Sequence, residues 1–155
     1  MQKHRPDIVV VSPDGEYLVV IEVKPDEGRS SQQEVVHQVK SWMASMGCSV
    51  GLAIVGEHIF LLRDSLEKPR GESIALVGEA KLPEDLLPLA DESWRGEHAF
   101  EFAARVQRWL EELKFLSSAH AFPADVENLL GESIINLFRI GEIRAATPRW
   151  SRVAS

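Results

Sequence analysis

The stretch Asp7–Lys24, DIVVVSPDGEYLVVIEVK, decides how this chain begins to fold. It holds two apolar, β-branched runs, Asp7–Ser12 and Tyr17–Val23, and such runs favour strands. Between them stand Pro13, Asp14, Gly15 and Glu16, a turn composition that joins two strands as a hairpin. With the turn centred on Asp14-Gly15, paired residue numbers add to 29. Asp7 then faces Glu22 across the ladder, with Cβ atoms roughly 4.5–5.5 Å apart. Lys24 lies two residues beyond Glu22 and so points to the same side. A change of one residue in loop length would break this register.

Two carboxylates held opposite each other repel, and something must offset that. A hard divalent cation suits the task, because Mg²⁺ is commonly held by one or two carboxylates together with waters and substrate phosphates. Such an ion polarises a phosphoryl oxygen and lowers the pKa of a bound water. Lys24 is placed to position that water or to stabilise charge building on a phosphate. The three groups form a toolkit for phosphodiester hydrolysis.

Outward from this hairpin the pattern changes period. After the polar loop Pro25–Ser30, Ser31-x-x-Glu34 reads as a capping box at a helix start. Val35, Val39, Trp42 and Met46 follow at helical spacing, with Val36 and Met43 beside them. Gln38 borders that apolar face, and Gly47 is the expected stop. Ser49–Val55 reads as a buried strand, and Ile59–Arg63 pairs back onto it after the turn at Gly56-Glu57-His58. Residues 7–63 therefore read strand, strand, helix, strand, strand. Residues 64–95 are loop-rich, with a short strand expected near Ile74–Val77 and a helical turn near Glu84–Leu89. Amphipathic helices are expected over 97–116 and 123–140. The expected organisation is a core motif region over 1–63, a loop and helical extension over 64–140 packing on the same domain, and a loose tail over 141–155.

At 155 residues the chain is of single-domain length, and 45% hydrophobic with 26% charged residues is ordinary globular composition. No apolar run reaches the roughly 18–20 residues of a membrane span, and the first residues do not read as a secretory leader. The single cysteine, Cys48, has no internal disulfide partner, and a cytoplasmic location is expected. The net charge of −7 counts against a generic nucleic-acid coat. The charge is uneven, however: from Arg139 onward there are four arginines and one acid, Glu142. The five histidines lack metal-ligand spacing.

Arg5-Pro6-Asp7, then Glu22-Val23-Lys24, then Gln38 with Trp42 four residues later, resembles the PD-(D/E)xK nuclease superfamily. The layout of RPDIVVVSPDGEYLVVIEVKP, HQVKSWMASMG and GLAIVGEHIFLLR is most similar to the N-terminal nuclease domain of the R subunits of type I restriction enzymes. The resemblance covers about residues 4–63. It implies an α/β, restriction endonuclease-like fold, a mixed sheet core with C-terminal helices. It also implies a Mg²⁺-dependent endonuclease acting on DNA, with Mn²⁺ as a substitute ion. Asp7 and Glu22 would bind metal with the Val23 carbonyl, Lys24 would assist the attacking water, and Gln38 would support the site.

One departure stands out. Family members carry a helix and a strand before the PD strand, whereas here six residues precede Asp7. An open sheet edge would invite pairing, so a homodimer, or a partner subunit supplying the missing elements, is expected. The competing reading is a catalytically inactive or partner-dependent interaction module that keeps the nuclease fold. In its plainest form Asp7 is a strand-entry residue, and Glu22 and Lys24 belong to a half-exposed strand.

Overall fold

The computed structural model describes residues 5–24, 29–83, 99–115 and 124–145. The elements run β1 (Ile8–Val11), β2 (Tyr17–Lys24), α1 (Arg29–Met46), β3 (Val50–Val55), β4 (His58–Asp64), β5 (Ile74–Lys81), α2 (Ala99–Phe115), α3 (Ala124–Ile140) and β6 (Glu142–Ala145). Six strands form one mixed sheet in the order β5-β4-β3-β2-β1-β6. Strands β2 and β3 are parallel, joined through α1, and every other pair is antiparallel. The strand, strand, helix, strand, strand order expected for residues 7–63 is the order observed.

Alternation along the strands divides the core into two layers. Ile8, Val10, Val19, Ile21, Val23, Leu52, Ile54, Ile59 and Leu61 join Phe102, Val106, Leu110, Val126, Ile134 and Phe138 on the face covered by α2 and α3. Val9, Val11, Val20, Ala53, Val55, Phe60 and Leu62 join Val35, Val39 and Met43 on the face covered by α1. The strands of the Asp7–Lys24 hairpin are apolar on both sides because both sides are covered.

The hairpin reaches its expected register by an unexpected route. Ser12–Gly15 forms the turn, with Gly15 N–H donating to the Ser12 carbonyl at 2.9 Å and Gly15 at φ 88°, where a side chain would be strained. That turn sets Val11 opposite Tyr17, which by itself would bring Asp7 opposite Ile21. A bulge between Val10 and Val11 inserts Leu18 as an extra residue, so that Val10 faces Val19 and Ile8 faces Ile21. The shift returns Glu22 to the level of Asp7. It also turns Leu18 onto the α2–α3 layer beside Val19.

Helix α1 begins at Arg29, two residues before the expected start, so Ser31 and Glu34 are helical residues and do not form a capping box. Its end is as expected: Cys48 N–H bonds to the Met43 carbonyl at 3.0 Å around Gly47. The helix sits tightly on β3 at Gly51, where an added Cβ would lie 2.5 Å from Val39 Cγ1 and 2.7 Å from Met43 Sδ. Gly51→Ala is therefore expected to cost about 1–3 kcal/mol through overpacking. Urea denaturation with an unchanged m-value and a lowered midpoint would show it.

Three expectations are corrected. The strand expected near Ile74–Val77 extends to Lys81 along β4, with Leu76 and Val77 exposed on the sheet edge. The expected single helix over 123–140 is two helical segments meeting at Gly131, which has φ 76° and ψ 165°. Residues 142–145, assigned to a loose tail, form β6 and pair antiparallel with all of β1. Lys114 of α2 donates to the Gly141 carbonyl and ties β6 to that helix. The edge of β1 is thus covered by the chain's own C-terminal strand, which removes the reason for expecting another copy there. The helical turn expected near Glu84–Leu89 and residues 146–155 lie outside the described residues.

Candidate active site

Asp7 and Glu22 are the two buried charged residues among the described residues, at 9% and 2% exposure. They meet where the β1–β2 ladder ends. Asp7 N–H donates to Glu22 Oε1 at 2.9 Å, and Val23 N–H donates to Asp7 Oδ2 at 2.9 Å. Each carboxylate thus accepts a backbone N–H from the other strand, and the two bonds clamp the strands at this end. A carboxylate offers about four lone-pair sites.

The face is set by the alternation already described. Asp7 shares it with Val9 and Val11, and Glu22 with Val20, so both carboxylates are on the α1 side of the sheet. Val23 has the opposite parity, and its side chain is in the α2–α3 layer. Its main chain is nevertheless usefully turned. The Lys24 carbonyl accepts from Gly56 N–H at 2.8 Å, toward β3. A strand residue's N–H and C=O point the same way, and successive residues alternate. Val23 donates toward Asp7, so its carbonyl faces that side as well. The donor set is then two carboxylates and one carbonyl, all oxygen. That suits a hard cation which completes its shell with water and phosphate. No group of three or more His, Cys, Asp or Glu side chains able to hold a metal occurs among the described residues.

Lys24 reaches toward α1, with its Nζ 3.5 Å from Glu34 Oε2 and its side chain 33% exposed. The sequence places it on the Glu22 side of the strand, and the structure adds Glu34 as the group that holds its ammonium. Glu34 is a member that the sequence reading missed, because it was taken as a helix cap. The signal was present: Glu34, Gln38 and Trp42 are spaced by four and form one row along a helix. Contact between Glu34 and Lys24 brings this row to the end of β2. Gln38 is half-buried in the row, and no hydrogen bond joins it to the carboxylates.

Cys48 contributes no chemistry here. Burial pushes its thiol up, and its Sγ donates to the Val50 carbonyl at 3.2 Å. Beyond Asp7 along β1, the same face opens into a cleft of about 720 Å³ bordered by Pro6, Tyr17, Trp42 and Arg144. No helix among the described residues is long and apolar enough to cross a membrane. No family model matches the chain, and neither does any curated protein or solved structure.

Proposed function

We propose that the chain is a Mg²⁺-dependent DNA endonuclease of the PD-(D/E)xK type. Asp7, Glu22 and the Val23 carbonyl hold the ion, Lys24 serves the attacking water, and Gln38 lines the site. The observation that supports this best is the opposed Asp7–Glu22 pair, buried at the end of the hairpin with Lys24 on the same face. Burying two acids is costly unless they are compensated.

A bound divalent ion would supply Lewis acidity at a phosphoryl oxygen and a water of lowered pKa. The remaining work falls to this chain's residues. The backbone N–H groups of Asp7 and Val23 fix the carboxylates, so they need not reorganise when a substrate arrives. The Lys24 ammonium is tethered loosely by Glu34 and carries the positive charge that a phosphorane-like transition state attracts. Its partial exposure leaves it a path to solvent and to incoming water.

The same two hydrogen bonds favour a second reading, in which the carboxylates only close the hairpin and the fold serves as a partner-dependent or inactive interaction module. Asp7→Asn separates the two readings. Asparagine keeps an acceptor for Val23 N–H, so stability should change little, whereas an unsatisfied donor would cost about 1–3 kcal/mol. The expected result is saturable Mn²⁺ binding by calorimetry and metal-dependent plasmid nicking by the parent chain, with both lost in Asp7→Asn. A parent chain that neither binds Mn²⁺ nor nicks DNA would favour the interaction module.

A further inference from the structure

The cleft beside Asp7 has a composition at odds with the rest of the chain. Among the described residues its lining includes Arg5 and Arg144 but no Asp or Glu, in a protein of net charge −7. Tyr17 and Trp42 supply two aromatic walls, and Tyr17 is 45% exposed. The Trp42 indole N–H is buried and meets no acceptor among the described residues. The cleft lies on the α1 face of β1 and β6, the face that carries both carboxylates.

A volume of about 720 Å³ lies within the roughly 300–1,000 Å³ of small-ligand sites. It is large enough for one nucleotide. Aromatic faces that stack a base, with cations for its phosphates, are the usual means of holding single strands. Arg144 is exposed and paired with Glu142 at 2.7 Å. Exposed pairs of this kind are weak, and a phosphate can take the guanidinium through two hydrogen bonds.

We propose that this cleft holds one unpaired nucleotide of single-stranded DNA, its base against Tyr17 and Trp42 and its phosphates at Arg5 and Arg144. The inference rests on the nuclease reading for its substrate class. It goes further in assigning a preference for single-stranded or unpaired DNA, with the strand led along β1 toward Asp7.

The test is fluorescence anisotropy with a labelled 12-residue oligothymidylate and a duplex of equal length. EDTA and low salt are used so that the carboxylate site takes no part. The single strand should bind at least tenfold more tightly than the duplex. Tyr17→Ala, which alters an exposed side chain and spares the core, should weaken single-strand binding by roughly tenfold. The double variant Arg5→Gln, Arg144→Gln should make the salt dependence shallower by about one to two in log–log slope. Equal binding of single strand and duplex, or parental binding by Tyr17→Ala and the arginine variant, would overturn the proposal. Because no metal is present, the two failures are distinguishable. A chain that nicks plasmid while the cleft variants bind normally loses only this inference. One that binds single strands through Tyr17 and never cuts loses only the nuclease assignment.

Discussion

Lys24→Ala should nick supercoiled plasmid about 10²–10³-fold more slowly than the parent chain in Mg²⁺ or Mn²⁺, while unfolding at nearly the same denaturant concentration. The kinetic figure is what removing one preorganised electrostatic group from a transition state typically costs. The stability figure follows from the surroundings of Lys24. Its contact with Glu34 is 3.5 Å long and Glu34 is 69% exposed, and such pairs contribute less than about 1 kcal/mol. Metal binding should survive, because on the proposed reading the oxygen donors would be those of Asp7, Glu22 and Val23. Loss of cleavage with fold and metal binding intact would place Lys24 in the chemistry. Full cleavage by Lys24→Ala would remove it. The assay belongs at low salt, since phosphate binding by an acidic protein weakens steeply as salt rises.

Phe102→Ala is the largest stability change expected. Phe102 is fully buried in α2, in the layer that joins Ile8, Ile21 and Leu52 of the sheet to Phe138 of α3. Truncating such a phenylalanine removes its transfer free energy and leaves a cavity, about 3–5 kcal/mol together. Against a total stability of about 5–15 kcal/mol, that is a large fraction. For a chain of this size it corresponds to a fall on the order of 10 °C in Tm. Calorimetry should show one transition shifted as a whole, because the hairpin's inner face and the C-terminal helices share that layer. A separate, unshifted transition from residues 7–63 would mean that the hairpin region folds without α2 and α3.

The dimer expected from an open β1 edge loses its basis once β6 is seen. Pairing of Ile8 with Ala145 and Val11 with Glu142 closes that edge from within the chain. Among the described residues, the unpaired sheet edges are those of β5 and β6, at the two ends of the strand order.

The sequence alone determined the elements that carry strong local patterns. Short apolar runs bounded by turn residues marked β1 through β4, the helical spacing of Val35, Val39, Trp42 and Met46 marked α1, and apolar stripes marked the later helices. The Asp7–Glu22 opposition was readable because hairpin pairing is local arithmetic, although it held only through the bulge at Leu18, which the turn sequence does not announce. Tertiary structure decided the rest. β6 is four residues long with one buried side chain, Ile143, and its partner β1 lies more than 130 positions away in sequence. A segment that short has no stability of its own and becomes a strand only when β1 offers an edge. Glu34 followed the same logic. From sequence it looked like a cap serving its own helix. Only the packing of α1 on β2 brings it to Lys24, since a charged side chain's partner is set by what the fold places beside it, not by its neighbours along the chain.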